Sequence, residues 1–210
     1  GGETFVESME TIRENYPSFA FYSAMNSLDT HDTARILTLL GAGGEYRDQT
    51  KEWRAQFRLS PRQRSRGREL LKAASLLLFC FPGSPTVYYG DEAGMEGFED
   101  PFNRQTYPWG HEDQDLLNWY RALGRLRSRH PALRRGSIRY VLGKGPLLAF
   151  LREAGDERLL CAFNAGDEER AFSFDGGRLF PLMGRPQFSQ RDGLYTVVLP
   201  PRSGAVFAVK

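Results

Sequence analysis

The sequence predicts two kinds of structure in one chain of 210 residues: an α/β segment over residues 1–136 and an all-β antiparallel domain over residues 137–210. In the first segment, apolar residues recur at helical spacing and alternate with short runs that are aromatic or β-branched. After Gly136, short alternating runs follow one another, and Gly, Asp or Pro turns separate them. The change of pattern near residues 131–137 marks the predicted domain boundary.

The α/β segment carries the signals of several helices and of two strands. Phe5, Met9 and Ile12 share one helical face, and Pro17 ends that helix. The predicted helices cover residues 5–15, 33–40, 67–81 and 113–130, and the predicted strands cover residues 18–25 and 86–90. Gly41 is the expected stop of the second helix, and the charged residues that follow it, up to residue 66, are expected to form a surface excursion.

The domain after residue 136 is predicted to be an antiparallel β-sandwich of roughly 70 residues. Its strand candidates are the runs SIRYVL, LLAFLRE, RLLCAFNA, RAFSFD, LYTVVLP and AVFAVK. Alternation within these runs, with turn residues between them, is typical of strands that bury one face.

The bulk composition excludes several classes of partner. The formal net charge is +2, which is too small to indicate nucleic acid or an anionic membrane as a partner. The longest apolar run, residues 74–81, is stopped by Pro82 and Gly83 and is too short to span a membrane. The histidines are scattered and there is no CxxC pair, so we expect no metal site and no cofactor. Cys80 and Cys161 are expected to be small core residues rather than a disulfide.

Three segments carry the polar residues that point to a function. The first is NSLDTHDTAR (26–35), the second is FPGSPTVYYGDEAGMEG (81–97) and the third is DPFNR (100–104). The first segment follows a predicted strand and the second contains one. In a (β/α) barrel the active-site residues lie at the carboxyl ends of the strands. The helices and strands before residue 136 would fill only about a quarter of an eight-stranded barrel, which needs about 250 residues.

In this order and at this spacing, the three segments resemble the alpha-amylase family, glycoside hydrolase family 13, and most closely its neopullulanase, cyclomaltodextrinase and maltogenic amylase branch. The resemblance implies that residues 1–136 are strands 7 and 8 of a (β/α)8 TIM barrel with their helices, and that residues 137–210 are the C-terminal β-sandwich. It also implies retaining hydrolysis of alpha-1,4 glucosidic bonds, with alpha-1,6 bonds as a further option, and an alpha-glucan or maltooligosaccharide as substrate.

The resemblance assigns catalytic roles to two residues of the first segment. Asp32 corresponds to the third acidic residue of the family's catalytic trio, which stabilises the transition state by hydrogen bonds to sugar hydroxyls while positive charge develops. His31 would donate to hydroxyls of the same sugar. Asn26 and Arg35 would support the motif by orienting carboxylates or capping the loop.

In the third segment, Asp100 and Arg104 would contact a more distant glucose unit. Each assignment has a structural alternative, since Asp32 is also suited to cap the following helix and Asp100 with Arg104 fits an i, i+4 ion pair. The side chains left between a structural role and a sugar contact are Tyr88, Tyr89, Asp91, Glu92, Phe98 and Trp109. The Arg-rich run over residues 58–68 is expected to be a solvated helix entry and not a nucleic-acid patch.

Two catalytic groups of the family have no counterpart in the sequence. The family's nucleophilic Asp and general-acid Glu stand in motifs of the type GFRxD and GE, and neither motif is present. Retaining hydrolysis needs two carboxyl groups about 5 Å apart, so we interpret the chain as the C-terminal portion of the enzyme and expect it to be inactive alone. The expected partners are the remainder of the barrel upstream and, because a quarter-barrel exposes strand edges, a second copy of the chain.

Two other functions stay open at this point. A non-catalytic carbohydrate-binding or structural module would bind glucan on the sandwich, although its aromatic residues form no obvious sugar-stacking row. A glucanotransferase of the same family would share this half of the site with a hydrolase. A cytoplasmic location is favoured over a secreted one.

Overall fold

The computed structural model describes every residue except Glu45 and Arg47, and it divides into two compact units. The sheet unit comprises residues 1–25, 79–84 and 124–210, and the loop unit comprises residues 26–78 and 85–123. The domain boundary expected between residues 136 and 137 stays a prediction, because a packing unit and a domain defined along the chain need not coincide.

The helices and strands are these, in chain order. The helices are α1 (Gly2–Asn15), α2 (Ser18–Ser23), α3 (Ile36–Ala42), α4 (Lys51–Gln56), α5 (Pro61–Cys80), α6 (Gln114–Arg129) and α7 (Pro131–Arg135). The strands are β1 (Met25–Ser27), β2 (Ser84–Thr86), β3 (Ser137–Lys144), β4 (Leu147–Ala154), β5 (Glu157–Asn164), β6 (Arg170–Phe174), β7 (Leu179–Met183), β8 (Gln187–Arg191), β9 (Leu194–Leu199) and β10 (Ser203–Val209). Over the described part of the chain, no helix combines the length and the apolarity that a membrane span requires.

The sheet unit contains the antiparallel sheets that the alternating runs predict. One sheet has the strand order β3-β4-β5-β10-β7 and the other has the order β6-β9-β8. Both sheets contribute to one apolar core that includes Leu160, Val197 and Phe207, all fully buried. Burial of a side chain of this size contributes about 1.5–3 kcal/mol, so this core is what holds the two sheets face to face. The prediction of antiparallel sheets is confirmed.

Strands β7 and β8 are not among the strand candidates of the sequence. Each lies at the edge of its sheet, and all five residues of β8 are exposed. Pro181 stands in the middle of β7, where an edge position tolerates the missing amide donor. An edge strand of this kind has no continuous apolar face, so alternation does not reveal it.

Two arginines, one fully buried and one partly buried, bind the end of α5 within the sheet unit. Arg152 is fully buried, and its guanidinium donates to the carbonyl oxygens of Cys80 and, at 2.9 Å, of Gly136. Arg127 donates to the carbonyl oxygen of Phe79 at 2.8 Å and to that of Gly83. Burial lowers the pKa of both guanidinium groups. Because the last carbonyls of a helix lack partners within it, these cations stabilise the helix end.

Cys80 and Cys161 are free thiols in the core. Burial, followed by contact with Cys80, raises the pKa of the Cys161 thiol well above its ordinary value. A thiol with a raised pKa is a poor nucleophile. Both cysteines are fully buried and pack as small apolar side chains, as the sequence indicates.

The strand predicted over residues 18–25 is wrong. Ser18–Ser23 form the short helix α2, and the strand β1 begins only at Met25. The carbonyl oxygen of Pro17 accepts hydrogen bonds from the amides of Ala20 at 2.9 Å and Phe21 at 3.3 Å, which closes the first helical turn. A short apolar run is compatible with either structure, and here the turn places the ring of Phe21 inside the sheet unit, where it is buried.

The strand predicted over residues 86–90 is also wrong, since β2 ends at Thr86. Gly90 adopts a φ of 91°, a left-handed conformation in which the chain turns. The rings of Tyr88 and Tyr89, which suggested a strand, lie instead against the guanidinium of Arg35. The guanidinium carbon is 4.2 Å from the Tyr88 ring centroid and 4.7 Å from the Tyr89 ring centroid. Packing on a buried cation therefore overrides the local preference for extended structure.

The second predicted helix, residues 33–40, is displaced toward the carboxyl end of the chain. It begins at Ile36 and ends at Ala42, and the residue that caps it is Gly43, whose φ is 64°. Gly41 serves close packing instead of stopping the helix, because a Cβ there would lie 2.8 Å from the side chain of Leu59. A Cβ on Gly67 of α5 would in turn lie 3.1 Å from the backbone of Gly41, so the two helices pack closely at these glycines.

The segment after Gly41 is more helical than the predicted surface excursion. It contains α4, and α5 begins at Pro61, six residues before the predicted start of that helix. Pro is favoured in the first turn of a helix, and Ser60 and Gln63 form a capping box, with the Ser60 amide donating to Gln63 Oε1 at 3.0 Å. Helices α1 and α6 agree with the predicted helices 5–15 and 113–130.

Three basic residues on one face of α5 form ion pairs within the loop unit. The other arginines of the run over residues 58–68 (Arg58, Arg62 and Arg66) are exposed, as expected for a solvated helix entry. Arg68 Nε lies 3.1 Å from Asp113 Oδ2, and Lys72 Nζ lies 2.6 Å from Asp115 Oδ2. Arg64 forms an ion pair with Glu96. Spacing of four residues puts these cations on one helix face, where they bind the start of α6 and the loop that precedes it.

Candidate functional site

The turn between β1 and α3 carries His31 and Asp32. Thr30 shapes this turn, because its amide donates to Oγ1 of Thr33 at 2.9 Å and its own Oγ1 accepts from the amide of Asp32 at 3.2 Å. Threonine hydroxyls commonly close turns in this way. As a result the side chains of His31 and Asp32 point away from the turn and are 64% and 71% exposed.

Four of the residues predicted from the sequence come together through direct contacts, and we call them the Asp32 cluster: His31, Asp32, Asp100 and Arg104. Nε2 of His31 lies 3.4 Å from Oδ2 of Asp32. Arg104 lies between the two carboxylates, 3.7 Å from Asp32 Oδ1 and 3.0 Å from Asp100 Oδ1. Exposed ion pairs of this kind contribute only about 0–1 kcal/mol, so a ligand can compete for these groups at little cost.

Arg35 lies beneath the exposed cluster and is fully buried. Its Nε donates to the backbone oxygen of Asn103 at 3.0 Å, and its Nη1 donates to the backbone oxygen of Tyr89. The same nitrogen lies 3.5 Å from Oδ1 of Asp91. The guanidinium thus joins the segment after β1 to the two loops that follow β2.

Asp29 and Asp91 form a buried carboxyl pair beside this guanidinium. Both are almost fully buried, and burial, followed by the hydrogen bond and charge of Asp29, raises the pKa of Asp91 to about 9. One cation facing two carboxyl groups balances only one negative charge, so the pair retains a proton. Asp29 Oδ2 also accepts from the amide of Ile36, the first residue of α3, at 2.8 Å. The helix is therefore capped by Asp29 and not by Asp32, the alternative that the sequence suggested.

Asn103 is a buried residue of the site to which sequence reasoning assigned no role. Its Nδ2 donates to the carbonyl oxygens of His31 at 2.8 Å and of Thr33 at 2.7 Å. The only signal in the sequence is its place inside DPFNR, between Asp100 and Arg104. A hydrogen bond to a residue about seventy positions earlier cannot be read from that motif.

The aromatic and acidic candidates separate into buried and exposed groups. Phe98 is buried, whereas Trp109 is 80% exposed, with its ring centroid 4.5 Å from that of Tyr107. Glu92 is partly buried and its Oε2 accepts from the amide of Gly90 at 2.9 Å. Trp109 is therefore the aromatic candidate whose ring is most open to a sugar, ahead of Tyr89, which is 40% exposed.

Asn26 lies in β1, partly buried, at the start of the segment that leads into the turn; its supporting role stays a prediction. Within the described residues, no group of three or more His, Cys, Asp or Glu side chains is arranged to hold a metal ion. The chemistry of the cluster is that of carboxylates, an imidazole and a guanidinium at a surface. Such groups suit hydrogen bonds to vicinal hydroxyls.

Comparison with known proteins finds similarity to amylopullulanases, a cyclomaltodextrinase and the C-terminal domain of maltogenic amylase. Residues 143–206 match the family model of the C-terminal domain of maltogenic amylase. The chain is 31% identical over 217 residues to an amylopullulanase of Thermoanaerobacter thermohydrosulfuricus, covering 95% of this chain and 14% of that protein. It is 33% identical over 153 residues to a cyclomaltodextrinase of a Bacillus species, covering 71% of this chain and 23% of that protein.

A solved structure gives the same result for the fold. The debranching enzyme of Nostoc punctiforme, soaked with acarbose, superposes with a TM-score of 0.76 at 26% identity, covering 99% of this chain and 38% of that chain. The chain thus spans well under half the length of each of these three proteins.

The matched residues 143–206 lie within the antiparallel strands of the sheet unit. The sheets therefore correspond to the C-terminal domain of these enzymes, and a complete barrel is not formed by the described residues. The family model covers the sheets, and the sequence relative and the solved structure extend over nearly the whole chain. The chain belongs to the alpha-amylase family, glycoside hydrolase family 13, and is similar to the C-terminal part of its neopullulanase-like members.

Proposed function

We propose that this chain supplies the transition-state-stabilising half of the active site of a retaining alpha-glucan hydrolase. The observation that carries the proposal is the Asp32 cluster, in which two carboxylates, an imidazole and a guanidinium meet at one exposed surface. Its supporting context is the similarity to an amylopullulanase and a cyclomaltodextrinase. The proposed bond is the alpha-1,4 glucosidic link, and the alpha-1,6 link is a second substrate to be tested.

The proposed role of Asp32 follows from the charge that develops in glycoside cleavage. As the glycosidic bond breaks, the sugar ring acquires oxocarbenium character, and a nearby carboxylate stabilises it. Asp32 would accept hydrogen bonds from hydroxyls of that sugar, and His31 would donate one to the same ring. Hydroxyl contacts that strengthen as the ring distorts lower the barrier more than they improve ground-state binding.

We further propose that the first 136 residues correspond to the last strands and helices of a (β/α)8 barrel. The alignment of nearly the whole chain with a solved debranching enzyme supports this. The nucleophile and the general acid would then come from preceding barrel strands, at a separation of about 5 Å from each other. Asp29 and Asp91 do not serve in their place, because both are buried beneath the cluster.

Asp100, Arg104 and Trp109 would hold a glucose unit farther from the cleaved bond. Asp100 and Arg104 already contact each other and present polar groups to solvent. The exposed ring of Trp109 offers an apolar face to the C–H side of a sugar. Trp109→Ala is expected to raise KM for maltooligosaccharides more than it lowers kcat, since a remote subsite contributes mainly uniform binding.

The test is Asp32→Asn in the longer protein that would carry the whole barrel, assayed on starch, pullulan and cyclodextrin. We expect kcat to fall by about 10²–10³-fold, the usual loss for one stabilising group, while the 210-residue chain alone is inactive. Asp156→Asn, at an exposed turn between β4 and β5, is the matched control. Normal hydrolysis by the 210-residue chain alone, or unchanged kcat in Asp32→Asn, would overturn the proposal.

A further inference from the structure

We propose that Asn103 is a positioning residue for Asp32, acting through the backbone of the turn that carries it; this rests on the function proposed for Asp32. The side chain of Asn103 is fully buried. Its single amide nitrogen donates to the carbonyl oxygens of His31 at 2.8 Å and Thr33 at 2.7 Å. These two carbonyls flank Asp32 on either side along the chain. One amide group therefore holds the backbone immediately before and immediately after the carboxylate.

The contacts made by the Asp32 side chain itself are too weak to fix its position. Its partners, Nε2 of His31 and Nη2 of Arg104, stand 3.4 and 3.7 Å away, and all three side chains are largely exposed. Solvated pairs of this kind are worth little. The bonds between Thr30 and Thr33 shape the turn internally but do not attach it to another segment. Attachment comes chiefly from buried Asn103, which reaches it across 70 residues of sequence. Nε of the exposed Arg104 adds a longer bond, 3.3 Å, to the same His31 oxygen.

Asn103 is in turn held by buried groups on the far side of the turn. Its backbone oxygen accepts from Nε of Arg35 at 3.0 Å. The backbone amide of Arg35 donates to the carbonyl oxygen of Gly97 at 2.9 Å, and the Gly97 amide donates to Oγ1 of Thr38 at 2.8 Å. The turn and the start of α3 are therefore joined to the loop over residues 97–104 by several contacts, all polar and directional. Loss of the Asn103 amide releases the turn on the side that faces the loop. Asp32 then shifts, because it lies on that turn.

This arrangement predicts a specific kinetic effect. A displacement of about 1 Å at a catalytic group can cost roughly a hundredfold in rate. Since Asp32 is proposed to act most strongly in the transition state, its displacement lowers kcat more than it raises KM. A residue that served stability alone would instead lower the amount of folded enzyme and leave kcat per folded molecule unchanged.

The variant that tests this is Asn103→Asp. It keeps the shape of the side chain but replaces the donating amide by a carboxylate oxygen, which can only accept and faces two carbonyl oxygens. Asn103→Ala removes the same donors without adding charge and serves if Asn103→Asp does not fold. Asn118→Asp on the exposed face of α6 is the matched control. In the longer protein we expect kcat per folded molecule to fall about tenfold to a hundredfold, with a smaller change in KM and no change in the control.

A double variant separates positioning of Asp32 from any other effect. In an Asp32→Asn background, Asn103→Asp should lower kcat by less than about twofold further, because the group it positions is already lost. The proposal would be overturned if Asn103→Asp had the same kcat as the control. It would also be overturned if the losses in kcat caused by Asn103→Asp and Asp32→Asn multiplied in the double variant. Amide hydrogen exchange at residues 31–33 of the 210-residue chain gives an independent measurement, and unchanged exchange in Asn103→Asp would overturn it too. If Asp32→Asn leaves kcat intact while exchange at residues 31–33 rises in Asn103→Asp, the proposed function fails and the attachment of the turn stands.

Discussion

The sheet unit and the loop unit are stabilised by different chemistry. The core of the sheet unit is a continuous set of apolar side chains that includes Leu160, Val197 and Phe207. The loop unit has a smaller apolar cluster around Leu37 and Leu71, and its turns are held by polar side chains that are themselves buried. Apolar burial is non-directional and tolerates small shifts, whereas a buried charge or amide needs each partner in place.

The difference explains why the candidate site lies in the loop unit. A transition-state-stabilising carboxylate must be exposed to substrate and yet fixed in position. Turns supported by Arg35, Asp91 and Asn103 meet both needs, because the support is beneath the surface while Asp32 stands above it. A strand in the sheet unit would fix its side chains equally well, but every second side chain would point into the apolar core.

The largest effect on stability is expected from Phe207→Ala in the sheet unit. Removing this fully buried ring leaves a cavity between the two sheets, and such changes cost about 3–5 kcal/mol. Urea unfolding followed by far-ultraviolet circular dichroism measures the loss. Phe180→Ala on β7, where the ring is 37% exposed, is the control and is expected to cost about 0.5–1 kcal/mol through its contacts with Arg178 and Lys210. Equal losses in the two variants would contradict the account of the core.

A smaller effect is expected from Arg35→Lys in the loop unit, about 1.5–3 kcal/mol. Lysine keeps the charge but lacks the planar fork that binds the Asn103 oxygen and stacks on the two tyrosine rings. Tryptophan fluorescence reports this unit selectively, because every tryptophan of the chain lies in it. Arg121→Lys on the exposed face of α6 is the control. A fluorescence transition unmoved by Arg35→Lys would show that the fork is dispensable.

The smallest and most specific effect is a change in pH dependence caused by Asp91→Asn. The pKa of Asp91 is raised from 3.8 to about 9, first by burial and then by Asp29, so the folded chain binds a proton that the unfolded chain releases. The contribution of Asp91 to the free energy of unfolding is therefore fully present below pH 3.8 and is lost as the pH rises through about 9. Between these values the slope is at most about 1.4 kcal/mol per pH unit.

Asparagine does not titrate, so Asp91→Asn should flatten the fall in the free energy of unfolding as the pH rises from 5 to 9. Unfolding curves of the two proteins across this range give the difference directly. Asp100→Asn, whose carboxylate is 57% exposed, should leave the slope as it is in the original chain. Parallel curves for Asp91→Asn and the original chain would show that Asp91 is ionised in the folded state.

Patterns in the sequence predicted the sheet unit better than the loop unit. Short apolar runs between turn residues located β3, β4, β5, β6, β9 and β10, and missed only the edge strands β7 and β8. Of the strands located, the central β4, β5 and β10 are buried on both faces. The strands predicted over residues 18–25 and 86–90 were wrong. In the first, a helical turn at Pro17 outweighs the local preference for a strand. In the second, packing of aromatic rings on Arg35 outweighs it. Local preference decides where nothing buried competes with it.

By itself the sequence determined most of the antiparallel strands and the carboxyl ends of α1 and α6. Alternation and helical spacing are enough for these, since each depends on neighbours within a few residues. The polar side chains of the Asp32 cluster were identified by the resemblance of three motifs to a known family. Only the tertiary structure decided that Asp29 caps α3, that Asp91 keeps its proton and that Asn103 binds the turn. Each depends on groups far apart in sequence brought into a buried, low-dielectric environment, where an unpaired charge or carbonyl is costly.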